Sequence, residues 1–331
     1  MYNVHIGFFL FMNPLPSISS QVNEKIIHKV IKKNYAILAP FFTSLIGNWF
    51  VRAYKNFNDI DKFVIIIYLI NKDLIFYRKN GITIDYDTFY KEKTIEIEKI
   101  NISDISKDLQ IPKESVRRKV LELEKKNIIK KTGKKIFVDR SAFIAAKAKN
   151  TLLEVSILLH EFNKLLIKEK LVNNIFNVEQ ITTSIKVNFT FCWYQFYKFL
   201  FIYSNRWRNV TGDLETFCIG MVLVMNATHN KQFIPTKSNL KTYRKELMGS
   251  DIRGVNAMSI SDITGIPRPT VVRKLKFLID KKFLYINEKK LISLNIKDSA
   301  LKKTVSLQNK NIESLSNFIF RLFNQIKVIN S

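Results

Sequence analysis

Two short stretches concentrate the side chains best suited to grip an anion. Lys113, Ser115, Arg117 and Arg118 lie in the first and Arg268, Thr270, Val272 and Arg273 in the second, and together they hold four of the chain's twelve arginines. A guanidinium presents a planar fork of donors that matches guanine O6 and N7, or a phosphate, through two parallel hydrogen bonds. Serine and threonine hydroxyls suit phosphates or bases, and Val272 could touch a thymine methyl. A few residues on, Lys130, Lys131, Lys134 and Lys135 form one basic cluster, and Lys289 with Lys290 a second. The competing explanation is that exposed helix faces are often basic for solubility alone.

The two stretches are copies of one unit. Residues 101–138 align without a gap to 256–293 at an offset of 155, with twelve of 38 positions identical. Asn101 and Asn256 suit helix N-caps, followed by a short helix with a core Ile105 or Ile260 and a small Ser106 or Ser261. Ile111-Pro112 and Ile266-Pro267 then place an apolar plug before a helix start, and Gly265 fits a turn with positive φ. Val116, Val120 and Leu123, like Val271, Leu275 and Leu278, recur at helical spacing and predict a core face, which leaves the basic residues on the opposite one. Residues 128–138 and 283–292 each hold two β-prone runs around a polar turn and predict a hairpin carrying the paired lysines.

Similarity extends outward. Asp59 to Phe63 resembles Asp213 to Phe217 at an offset of 154, each opening a helix, and Asn150 to Val172 resembles Asn311 to Ile329 as a long amphipathic helix. The halves run from about Gln21 to Leu171 and from Val187 to Ser331. The expected fold is mainly α, with two tandem winged helix-turn-helix units, each with a small β-hairpin wing, joined and packed by long amphipathic helices. The expected division is an N-terminal apolar segment (1–20), a first repeat (21–175) and a second (176–331).

The motif Ile-Ser-x-x-x-x-Ile-Pro-x-x-[Ser/Thr]-Val-x-Arg-Lys-x-x-x-Leu resembles the winged helix-turn-helix of the MarR and IclR classes of bacterial transcription regulators. It covers about 40 residues of each half. The resemblance implies recognition helices that lie in the DNA major groove and wing lysines that reach flanking phosphates. Regulators of the MarR type usually carry one such domain and dimerise through terminal helices. Two units in one chain therefore suggest a fused pseudo-dimer whose helices around Phe41 to Val51, Asn150 to Val172, Phe189 to Tyr203 and Asn311 to Ile329 replace the dimer interface. A homodimer is the other assembly. The aromatic stripe from Phe189 to Tyr203 reads first as core and second as the lining of a small-molecule effector pocket.

Composition agrees with an anionic partner. The net charge is +26 over 331 residues, with 54 basic against 28 acidic side chains, a surplus that an AT-rich codon bias towards lysine does not explain without matching glutamate. Cys192 and Cys218 form no C-x-x-C pair and read as buried thiols in a cytoplasmic, nucleoid-associated protein. The apolar runs at Phe63 to Ile70 and Val187 to Tyr203 are too short or too polar for a membrane span of about 20 residues. No H-E-x-x-H, P-loop or G-x-G-x-x-G occurs, and Asp59-x-Asp61 and Asp85-x-Asp87 suit helix starts and loops better than metal, so neither an enzyme nor a cofactor is expected. The expected function is sequence-specific double-stranded DNA binding in transcription regulation. A tandem winged-helix replication initiator and a non-specific nucleoid-structuring protein are the alternatives.

Overall fold

The computed structural model describes residues 21–91, 94–98, 101–133, 135–139, 142, 146–229, 239–240, 243–244, 247, 254–295 and 299–330. The apolar segment 1–20 and Lys134 lie outside them. The fold is mainly α, and among the described residues its elements, α4 and β1 of the first half apart, run twice through one order. The first half holds α1 (Glu24–Lys33), α2 (Tyr35–Phe57), α3 (Ile60–Lys79), α4 (Tyr86–Lys91), β1 (Ile95–Glu98), α5 (Ile102–Leu109), α6 (Lys113–Lys125), β2 (Ile129–Thr132), β3 (Lys135–Val138) and α7 (Lys149–Lys168). The second holds α8 (Val178–Val187), α9 (Phe189–Thr211), α10 (Leu214–Thr228), α11 (Ala257–Thr264), α12 (Arg268–Asp280), β4 (Leu284–Ile286), β5 (Ile292–Leu294) and α13 (Ser299–Ile329).

The same residue types start the paired helices. Asn23 and Asn177 are the N-caps of α1 and α8, and each of these helices is ten residues long. Asp59 Oδ1 accepts from the Lys62 amide at 3.1 Å to start α3, and Asp213 Oδ1 from the Thr216 amide at 2.7 Å to start α10. These carboxylates satisfy amide donors that a helix start leaves orphaned. Repetition begins earlier than the sequence similarity suggests, because α8 precedes Val187 and matches α1 in length and cap but in few side chains.

The halves interlock. Helix α2 packs on α10 and α3 on α9, while α1 lies against α13 and α8 against α7, so each half lends its first helix to the other's last. Phe50 meets Phe217 with ring centroids 5.1 Å apart, and Phe42 meets Phe199 at 6.1 Å. Phe189, Trp193, Phe196, Tyr197, Phe199 and Tyr203 of the aromatic stripe are all buried. Their rings supply much of the apolar area that holds the interlock together.

Helix α2 is long and apolar enough to cross a membrane by length and composition, and α9 with α10 would pass as one span but for a 96° bend. In α2, 61% of the most apolar window is buried inside the fold.

Candidate nucleic-acid interface

In each half a short helix, a tight turn and a second helix are followed by an antiparallel hairpin. Ser106 Oγ donates to the Ile111 carbonyl at 2.7 Å, and Ser261 Oγ to the Ile266 carbonyl at the same distance. That bond closes the turn over a buried isoleucine, Ile111 or Ile266. The left-handed residue ending the first helix is Gly265 (φ 76°) in one half and Gln110 (φ 53°) in the other. Glycine meets no Cβ penalty there, whereas glutamine is strained. Val116, Val120 and Leu123 bury one face of α6, and Val271, Leu275 and Leu278 bury that of α12.

The opposite face carries the basic residues. Lys113, Arg117, Arg118, Arg268, Val272 and Arg273 are exposed, and Ser115 and Thr270 are half-buried at the edge. Arg117 lies 3.9 Å from Glu114 and Arg118 4.0 Å from Glu122, loose surface pairs that hold neither guanidinium firmly. In the hairpins β2 pairs with β3 and β4 with β5, and Lys130, Lys131, Lys135, Lys289 and Lys290 are exposed. Lys131 is held by Glu124 at 2.9 Å and Lys135 by Glu96, so two of the hairpin charges are already partnered.

Glu96 belongs to β1, a strand absent from the expected elements although Ile95-Glu96-Ile97-Glu98 alternates apolar and polar residues. It extends the first hairpin to three strands in the order β1-β3-β2, with Ile95 opposite Val138. Among the described residues of the second half, an isolated bridge between Val255 and Ile292 takes that place. The two faces also differ in polarity: at the 155-residue offset Arg117, Lys130 and Lys131 correspond to Val272, Tyr285 and Ile286, and those three are exposed.

A second feature escaped sequence reasoning. Lys119 and Lys274, one residue beyond Arg118 and Arg273, are buried. Lys119 Nζ contacts the cap carboxylate Asp59 and lies 3.8 Å from Asp61. Lys274 Nζ lies 2.7 Å from both oxygens of Asp213 and 3.4 Å from Glu215. Asp59-x-Asp61 and Asp213-x-Glu215 therefore serve as cap and lysine anchor. Burial raises the Glu215 carboxyl, and Lys274 offsets this only in part. At Asp213 burial also pushes upward, but Lys274 and the Thr216 amide outweigh it and hold the carboxyl below its usual range. The signal was present, since both lysines are identities of the repeat and both acidic pairs recur.

A cavity of about 170 Å³ lies between α2 of the first half and α9, α10 and α13 of the second, with Tyr35, Tyr203, Trp207, Tyr243, Arg244 and Gln308 among its lining. Arg244 Nε donates to Gln308 Oε1 at 2.8 Å. Burial lowers the Arg244 guanidinium from its usual value, with Tyr35 opposing. The first half fills the corresponding place. Gly220 at the cavity corresponds to the buried Ile66, and Tyr86, Phe89 and Tyr90 pack around Phe189, the counterpart of Tyr35, at 5.1, 5.3 and 5.5 Å.

Cys192 and Cys218 are buried free thiols, pushed up to about 12 by burial. Asp85 Oδ1 accepts from the Asp87 and Thr88 amides and so opens α4. Comparison with known proteins returned no match to a family model, a curated protein or a solved structure.

Proposed function

We propose that this chain is a sequence-specific double-stranded DNA-binding protein that regulates transcription, and that its two helix-turn-helix and hairpin units are winged helices arranged as an intramolecular pseudo-dimer. One observation carries the reading: a serine-locked turn presents a solvent-facing helix with exposed arginines, twice, on one interlocked helical body. Such a helix suits the major groove, and two of them held in one body suit two half-sites. Residues 101–140 and 256–295 carry net charges of +6 and +5, which favours phosphate contact and strong salt dependence. The exchange of Arg117, Lys130 and Lys131 for Val272, Tyr285 and Ile286 favours two dissimilar half-sites over a palindrome. The protein acts in the cytoplasm on the nucleoid, without catalysis.

The half-buried Arg244 in a mostly apolar cavity favours regulation by one small apolar anion per chain. Among the described residues its side-chain partner, Gln308, is neutral, and a charge in such surroundings gains from a counter-ion.

Selection of bound sequences from a random DNA pool tests the main reading. Enrichment of two unlike half-sites, relaxed at about one or two base pairs by Arg117→Ala or Arg268→Ala, is the expected result. Reiterated direct repeats would favour a replication initiator, and no enrichment with retained affinity a nucleoid-structuring protein.

A further inference from the structure

The buried lysines of the two basic helices end in one charged cluster. Asp59, Asp61, Asp213 and Glu215 meet Lys119, Lys274 and Arg208 where α3 and α10 begin. Asp59 and Asp61 add to the burial that raises the Glu215 carboxyl, and burial, then Glu215 and Asp59, raises the Tyr54 hydroxyl, so charges of the two halves act on each other. Arg208 crosses between the halves. It stands on α9 with 7% of its surface exposed, and its Nη2 donates to Asp61 Oδ1 at 2.6 Å on α3. Asp61 thus faces Lys119 of the first basic helix on one side and the second half's Arg208 on the other. The connection is one-sided, because the 154-residue counterpart of Arg208 is Tyr54.

Buried ion pairs often stabilise no more than well-packed apolar side chains would; their best-attested use is to specify register. Here the register is that of α6. Lys119 sits on its buried side, next to the exposed Arg118, so its ammonium sets both the rotation and the axial position of the helix. We propose that Arg208, acting through Asp61 and Lys119, is a positioning residue that fixes the first basic helix relative to the second half and so sets the spacing of the two half-sites this protein reads. This rests on the DNA-binding reading above.

The test joins a measurement without DNA to one with it. Cysteines introduced at the exposed Glu114 and Pro269, at the starts of the two basic helices, take spin labels, while the buried Cys192 and Cys218 stay unreactive. Double electron–electron resonance is then recorded for the otherwise unchanged protein, for Arg208→Met with Asp61→Asn, and for Arg208→Lys. The paired change removes both charges together and leaves the Asp59 cap in place. The milder Arg208→Lys serves if the paired variant does not fold. One narrow distance is expected for the parent, a broadened or displaced distribution for the paired variant, and partial rescue by lysine. On DNA, the parent should prefer one half-site spacing over another changed by about five base pairs, half a helical turn. The variant should lose about fivefold or more of that preference, the low end of coupling between sites, with affinity for an isolated half-site kept. An unchanged distance distribution in a folded variant overturns the proposal. If the parent binds no DNA, the functional reading falls, while the distance measurement still decides whether Arg208 positions the helix.

Discussion

One substitution made at two glycines should have opposite signs, and the difference tests how α2 and α10 approach. Gly220 lies within α10, and a Cβ placed there would meet only Leu278 Cδ1 at 3.9 Å, an ordinary contact. Gly220→Ala should therefore gain about 1 kcal/mol of helix propensity, plus part of the roughly 0.8 kcal/mol of a buried methyl. Gly47 lies within α2, where the same Cβ would stand 2.0 Å from Met225 Sδ and 3.1 Å from its Cγ. Met225 belongs to α10, so the methyl would force the interlocked helices apart or drive the methionine out of its place. Overpacking of this kind costs about 1–3 kcal/mol, which cancels or exceeds the helical gain. Urea unfolding of the three proteins should place Gly220→Ala above the parent and Gly47→Ala at or below it, separated by about 1–3 kcal/mol from these two effects. In a Met225→Ala background Gly47→Ala should cost less than it does in the parent, because the crowding methionine is gone. A Gly47→Ala protein as stable as Gly220→Ala, with no response to Met225→Ala, would refute the close approach.

Gln110→Gly should stabilise by about 0.5–1 kcal/mol in the same assay, because relief of left-handed strain outweighs glycine's added chain entropy; a loss would show that the Gln110 side chain contributes more than its backbone costs. The Asp73 carboxyl is raised to about 6 by burial, with a hydrogen bond from Tyr77 opposing. The folded state thus holds this proton more tightly than the unfolded chain, so stability falls as pH rises from about 4 to 6. Calorimetry of Asp73→Asn should show a gain at pH 8 that shrinks towards pH 4, and an equal gain at both would refute the assignment. For the cavity, indole-3-carboxylate should raise the melting temperature more than uncharged indole does, by up to about 2.7 kcal/mol of stabilisation at a hundredfold excess over Kd. Arg244→Leu should abolish the difference and Gly220→Ile should abolish binding. Equal effects of both probes would remove the anion from the proposal.

What could be read from the chain alone was whatever local chemistry dictates. Asn101 and Asn256 as helix starts, Gly265 in a left-handed turn, the core faces of α6 and α12 and the two hairpins all follow from spacings of a few residues. The duplication was legible because two copies could be compared within one chain, which also showed that the basic positions are not identical. Exposure of Arg117, Arg118, Arg268 and Arg273 follows from the same periodicity, since a helix that buries Val116 or Val271 turns its neighbours outward. Contacts between residues far apart in sequence were decided only by tertiary structure. Lys119 looks like one more surface lysine until α3 brings Asp59 to it, and Arg208 looks like part of an aromatic helix until the halves interlock and set it on Asp61. The strand β1 carries a local mark, the apolar–polar alternation Ile95-Glu96-Ile97-Glu98, but its partner β3 lies about 40 positions away, and that pairing was decided only by the fold. The cavity depends on Gly220 standing where the first half has Ile66, and an empty volume belongs to the assembled core, not to any segment of the chain.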